Sequence, residues 1–236
     1  MNPVADAAVS ILYPRRCPLC DRPVSPAGAL ICRECEGKAE YVSGACCMKC
    51  GKPLEDGRSE YCADCRVRPH AFDSGASVFI YHSVDRSVFR FKYEGRQEYA
   101  AWYGERTAVI LGKKIKSWKP DLLVPVPIHP RRRKKRGYNQ SELLAREIGE
   151  RTGIPVSLCV SRVVDTKPQK GLGIAERQKN LEKAFKIRPG ELKSKIIVVV
   201  DDIYTTGTTI DEMAVTARRA GAEGVFFITL ATGNST

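Results

Sequence analysis

The 236-residue sequence contains no run of about 20 apolar residues, the length a helix needs to cross a bilayer. Its apolar start, "VADAAVSILYP" (residues 4–14), is too short for that and has no basic segment ahead of it, which argues against a secretory signal. We read it as a short packing helix ending before Pro14, in a protein that stays in the cytoplasm with no membrane partner. The motif G-x-x-x-x-G-K-[ST] is missing too, which excludes the P-loop nucleotide hydrolases. Cysteine is nearly missing beyond residue 65, because nine of the ten fall between Cys17 and Cys65 and only Cys159 lies outside.

Those nine are ordered. "CPLC" (17–20) is followed by eleven residues and "CREC" (32–35), and "CMKC" (47–50) by eleven residues and "CADC" (62–65), so four cysteines recur thirty residues later. Each unit has the C-x2-C…C-x2-C form of a small zinc ribbon. Four thiolates supply folding free energy to segments too small to build a core, and they leave no open position for a substrate. The expected ligands of two structural zinc sites are Cys17, Cys20, Cys32 and Cys35, then Cys47, Cys50, Cys62 and Cys65. Interleaved pairing remains open, and Cys46 is an alternative to its neighbour Cys47.

Charge is divided unevenly. Residues 1–70 carry ten Lys+Arg and nine Asp+Glu, a formal +1, and the remainder 29 and 18, a formal +11. Each four-thiolate zinc site adds a net −2, so two of them take the first part to about −3. The basic character therefore belongs to the second part, where it suits phosphate-rich small molecules, nucleic acid or solubility.

After a connector at 65–75, "ASVFIYH" (76–82) predicts a strand and "SVDRSVFRFKYEG" (83–95) a helix with Val84, Val88 and Phe91 on one face. A second helix is expected over about 97–116. "DLLVPVP" (121–127) predicts a buried strand stopped by prolines, and "NQSELLAREIGERTG" (139–153) a helix with Asn139 and Glu142 in capping-box positions. "KIIVVV" (195–200), "IDEMAVTARRAG" (210–221) and "VFFITLA" (225–231) predict strand, helix and strand. This alternation indicates an α/β fold with a mainly parallel sheet flanked by helices, residues 71–236, behind a small zinc-ribbon domain, residues 1–70.

The chemistry concentrates in "IIVVVDDIYTTGTTI" (196–210). Ligands of such sheets bind beyond the carboxyl ends of the strands. There, the amides and hydroxyls of Thr205, Thr206, Gly207, Thr208 and Thr209, leading into a helix, suit a phosphate. Asp201 and Asp202 repel that phosphate but accept hydrogen bonds from two vicinal hydroxyls. A ribose 5-phosphate has both features, and the acid pair can also orient Mg²⁺ through its hydration shell.

This stretch resembles the phosphoribosyl-pyrophosphate (PRPP) signature of type I phosphoribosyltransferases. The resemblance extends over nearly the whole chain to the ComF family of competence-associated proteins, through the paired CxxC knuckles, "FKYEG", "VPVPIHPRRRKKRGYNQSELLA", "KPQKGLGIAERQKNLEKAF" and "AGAEGVFFITLA". It implies a type I phosphoribosyltransferase-like fold, with Asp201 and Asp202 on the ribose hydroxyls and Thr205–Thr209 on the 5-phosphate. It further implies that the loop after 124–127, with Val126 and Pro127, faces the pyrophosphate, and that Arg136 neutralises that group as it leaves. Residues 165–177 would form a cover bringing Lys167, Lys170 or Arg177 to the site. Purine-salvage members carry an acid where this chain has Thr205, so purine salvage is disfavoured. Tyr204 replaces a residue more often aliphatic and is expected to pack on the sheet, with stacking on a base as the alternative.

"RRRKKR" (131–136) puts six cations between a strand and a helix, more than one pyrophosphate requires. Runs of like charge are usually solvated loops. Beside a zinc ribbon, however, Arg131, Arg132, Arg133, Lys134 and Lys135 also suit single-stranded DNA, with Phe89, Phe91, Tyr93, Tyr99, Trp102 and Tyr103 as candidate stacking platforms, most of them expected to pack in the core. Two function classes follow. One is an enzyme moving phosphoribose from Mg-PRPP to an acceptor. The other is a DNA-handling module that works with competence-machinery proteins.

Overall fold

The computed structural model describes residues 14–26, 28–55, 57–164 and 184–233. The helix expected before Pro14 and the cover segment with Lys167, Lys170 and Arg177 lie outside them.

In chain order, a short helix α1 (Ala63–Val67) closes the second cysteine unit, and β1 (Ser74–Ile80) leads into α2 (Tyr81–Tyr93) and α3 (Tyr99–Ser117). Then come β2 (Leu122–Pro125), α4 (Pro130–Arg136), α5 (Gln140–Thr152) and two short strands, β3 (Val160–Arg162) and β4 (Phe185–Ile187). The chain ends with β5 (Ile196–Tyr204), α6 (Thr208–Arg219) and β6 (Gly224–Thr232). Four strands form one sheet in the order β1-β6-β5-β2. Every neighbouring pair in it is parallel. The strands β3 and β4 make a separate antiparallel ribbon that period-two patterning did not reveal.

Alternation along β5 divides the core. Val198 and Val200 join Tyr99, Trp102 and Tyr103 of α3 and Leu144 and Ile148 of α5 on one face. Ile197 and Val199 join Met213 and Ala214 of α6, with Cys47, Cys50 and Cys62, on the other. The second ribbon is thus part of the same apolar layer as the sheet. Gly51 shows how close the two lie: its φ is 73°, and a Cβ there would fall 2.6 Å from the Gly75 carbonyl oxygen. The first ribbon is clasped by Asp21, which accepts from Arg96 Nε at 2.8 Å and from Tyr99 Oη at 2.7 Å.

Both sheet edges are covered. The link between the ribbons bridges β1, with Val42 N donating to Val78 O and Ile80 N to Glu40 O. At the opposite edge Val156 bridges β2 in parallel, with Leu123 N donating to Pro155 O and Ser157 N to Leu123 O.

Several elements differ from expectation. Tyr81 and His82 begin α2 rather than ending β1. The strand β5 runs four residues past Val200, so the acid pair lies within it and not after it. The basic run is a helix: Pro130 at its first position fits the helical φ, and the His129 side chain accepts from Arg131 N. Four of its cations occupy the last turn, where the helix dipole favours positive charge. Asn139 caps α5, but Glu142 pairs with Arg146 and Arg133 instead of returning to the cap amide.

Candidate functional site

The sulfur atoms of Cys47, Cys50, Cys62 and Cys65 all lie within 4.8 Å of one another, and so do those of Cys17, Cys20 and Cys35. Cys32 completes the first group, its sulfur 4.0 Å from that of Cys20. A tetrahedral ion at a Zn–S distance of about 2.3 Å needs sulfurs about 3.8 Å apart. The Cys50–Cys62 separation of 3.6 Å fits that requirement. The pairing is consecutive, and Cys46 lies outside, its thiol on the Gly44 carbonyl. Two cysteine tetrads suited to structural zinc therefore stand at the front of the chain.

At the carboxyl end of β5, Asp202 is 6% exposed. It accepts from Gln140 Nε2 at 2.7 Å and pairs with Lys92 Nζ at 2.7 Å. Asp201 accepts from Ser141 Oγ at 3.0 Å. Burial, followed by the neighbouring Asp202 charge, pushes the Asp201 carboxyl up to about 7. Burial would depress Lys92, but the Asp202 charge and hydrogen bond outweigh it and hold the ammonium above its ordinary value. None of Lys92, Gln140 and Ser141 was singled out in the sequence, although each sits in or beside a quoted motif, "FKYEG" or "RGYNQ".

The second of these motifs is a chain of positioning contacts. Tyr138 Oη donates to the Phe91 carbonyl. Asn139 Nδ2 donates to Val126 O at 3.0 Å, tying the start of α5 to the loop after β2. Arg136 donates to the Gln140 side-chain oxygen, and its guanidinium lies 5.1 Å above the Tyr93 ring. Arg136 thus reaches Asp202 through one intermediary, Gln140.

The segment Thr205–Thr209 follows directly, with Thr205, Thr206 and Gly207 as the loop and Thr208 and Thr209 already in the first turn of α6, two residues earlier than expected. Gly207 adopts a left-handed φ of 78° as the N-cap of α6, a conformation that strains an L side chain. Thr206 and Thr208 share a hydroxyl contact at 2.9 Å. Tyr204 is 2% exposed and stacks on Phe227, the packing role expected. The structure thereby brings together Asp201, Asp202, Thr205–Thr209 and, through Gln140, Arg136. Of the candidate platforms, Phe91, Tyr99, Trp102 and Tyr103 are buried. Only Phe89 and Tyr93 are exposed, in mutual contact at 5.0 Å.

Both parts of the chain are similar to known proteins. The double zinc ribbon domain family matches residues 8–66, and the phosphoribosyl transferase domain family matches residues 108–236. The chain is 31% identical to the DNA utilization protein YhgH of Salmonella typhimurium over 91% of its own length and 96% of the relative's. It is 28% identical to Competence protein F of Haemophilus influenzae, covering 83% of this chain and 87% of that one. A purine phosphoribosyltransferase structure from Pyrococcus horikoshii aligns over 56% of this chain and 74% of that one, with 24% identity and a TM-score of 0.35.

Proposed function

The chain belongs to the ComF family, and from that premise we propose that it binds PRPP and transfers the phosphoribosyl group to an acceptor, with release of pyrophosphate. The observation that carries this reading is the continuity of β5, loop and α6: two carboxylates lead straight into a Thr/Gly loop capped by left-handed Gly207. In this reading Asp201 and Asp202 take the ribose hydroxyls and residues 205–209 the 5-phosphate. The backbone at Val126 and Pro127, with Arg136, faces the pyrophosphate. Transfer breaks the C1–O bond to pyrophosphate and forms a bond from C1 to the acceptor, so negative charge grows on the leaving group beside Arg136. Mg²⁺ would accompany the pyrophosphate, with the acid pair orienting its water shell. Lys167, Lys170 and Arg177 remain candidates for covering the site. The acceptor loses its proton without help from position 205, which is Thr and not an acid. A reducing, cytoplasmic setting belongs to the proposal, because zinc binding requires free thiols.

Calorimetry tests it. Mg-PRPP is expected to bind the zinc-loaded protein, and the double variant Asp201→Asn, Asp202→Asn to lose that binding; an unchanged affinity overturns the reading. Pyrophosphate release measured across a panel of free bases and nucleic acids would then identify the acceptor.

A second reading, a module handling single-stranded DNA alongside competence-machinery proteins, draws on the names of the relatives and on one surface. The helix α4 exposes Arg131, Arg133, Lys134 and Lys135, and its last residue, Arg136, lies over the ring of Tyr93, which with Phe89 forms the exposed aromatic pair. Cations for phosphates beside rings for bases are the parts such binding uses. Replacing Arg131, Arg132, Arg133, Lys134 and Lys135 by Gln should flatten the salt dependence by about 0.7 in slope for each phosphate no longer neutralised. An unchanged slope removes this reading.

A further inference from the structure

The segment leaving the second ribbon holds α6 at both ends. His70 Nδ1 meets Asp211 Oδ2 at 2.7 Å, and Ala71 N donates to Asp211 Oδ1 at 3.0 Å, in the first turn of α6. In its last turn Arg218 donates from Nη2 to both Asp73 oxygens at 2.6 Å and from Nε to the Ala71 carbonyl at 3.3 Å. The His70 side chain is 1% exposed, and its Nε2 is buried with no hydrogen-bond partner.

The same segment presses on the loop before α6. A Cβ on Gly207 would lie 2.7 Å from Tyr204 Oη and 3.2 Å from His70 Cε1, so the loop backbone rests directly on these two rings. Behind them the rings lead to the second tetrad. Phe72 stacks on His70 at 4.7 Å and meets Tyr204 edge-on at 6.3 Å. Lys52 Nζ lies 5.8 Å from the Tyr204 ring centre and pairs at 2.9 Å with Asp64, which sits between Cys62 and Cys65. Cys50, Cys62, Phe72 and Tyr204 belong to one buried cluster.

We propose that the second zinc ribbon is a wall of the phosphate site, with His70 and Tyr204 as positioning residues that transmit the state of its cysteine tetrad to the loop Thr205–Thr209. This rests on the reading of that loop as the seat of a phosphate. A phosphate held by backbone amides depends on where those amides point, and here the rings beneath Gly207 fix their direction. The tetrad in turn bears on the rings, because Cys50 and Cys62 pack in the same buried cluster as Phe72 and Tyr204. Metal loading of the second ribbon then sets phosphate affinity although no thiol touches the ligand. The first ribbon has a different attachment, through Asp21 to Arg96 and Tyr99, far along the chain from the loop.

The test uses ribose 5-phosphate as the probe, titrated into the zinc-loaded full chain, with backbone amide signals of Gly207, Thr208 and Thr209 followed by NMR. His70→Ala should weaken binding roughly ten- to a hundredfold, as expected for losing a buried hydrogen bond to a charged group, and should move those amide signals. His70→Asn, whose Nδ2 can replace Nδ1 toward Asp211, should restore affinity to within about threefold of the parent. Cys62→Ser should move the same amide signals; where it unfolds the ribbon outright, His70→Ala, which leaves every thiol in place, decides. Parent-like affinity and unmoved amides in His70→Ala overturn the proposal, as does a failure of His70→Asn to recover binding. If the parent protein binds no ribose 5-phosphate, the phosphate reading of the loop falls. The amide signals then still decide the coupling, moved signals supporting it and unmoved ones ending it.

Discussion

Lys92 and Asp202 meet with side chains 17% and 9% exposed, so neither charge has enough water to stand alone. Replacing Lys92 by Met leaves a buried carboxylate with its cation gone, a change that costs about 3–5 kcal/mol. Urea denaturation should show that loss, and adding Asp202→Asn to the variant should recover part of it. Asp201 gives a pH signature of opposite kind to an ordinary paired acid. Its carboxyl is pushed from 3.8 up to about 7, with Asp202, Lys92 and Ser141 around it. Between those values the folded form keeps a proton that the unfolded form releases. Stability therefore falls as pH rises through this window, by at most about 1.4 kcal/mol per pH unit, and levels off above it. Urea midpoints between pH 5 and 8 should follow that descent, and Asp201→Asn should remove it. Ligand affinity should run the other way and rise toward pH 7, because the ionised carboxylate is the better acceptor for a sugar hydroxyl.

At the scale of elements, two joints carry the site. Asn139 caps α5 and holds the Val126 carbonyl, so Asn139→Ala removes a cap and leaves a buried carbonyl short of a donor. A loss of about 2–3 kcal/mol is expected in thermal or urea unfolding. Gly51→Ala forces a left-handed residue against the Gly75 carbonyl and should cost roughly 1–3 kcal/mol, with weaker zinc retention measured by chelator competition. These joints also show where sequence reading succeeds. The tetrads and the acid-loop motif are local patterns, each within a few tens of residues, and their spacing states their chemistry. Lys92, Gln140 and Ser141 reach the acid pair from positions 60 to 110 residues away in the chain, and no periodicity records such a meeting. The two motifs that hold them were visible as motifs, but the partner each residue serves was not. The basic run illustrates the converse: a charge pattern read as loop became helix because Pro130, His129 and the position of its cations suit one.

For the molecule as a whole, the metal-binding front is a structural member of the sheet domain and not an appendage. Its second tetrad shares a core with β5 and α6, and its first is clasped through Asp21, whose carboxyl burial would raise but whose contacts with Arg96 and Tyr99 hold below the usual range. That clasp contributes fully above a pH of about 4 and is lost on further acidification. Stripping zinc with a strong chelator should therefore lower the melting temperature of the whole chain in one transition, followed by circular dichroism of the helices, rather than melt a separate front unit first. Among the described residues no helix is long and apolar enough to cross a membrane.

The bridge laid by residues 40–42 along β1 has a consequence in time. These residues leave the ribosome before β1 does, whereas β6, the neighbour on its other side, is made well after β1. An unpaired strand edge invites pairing with other chains while synthesis continues. Here β1 emerges next to a partner that already exists, so one of its edges is paired from the start and only the edge that β6 takes waits for the roughly 140 residues that separate the two strands.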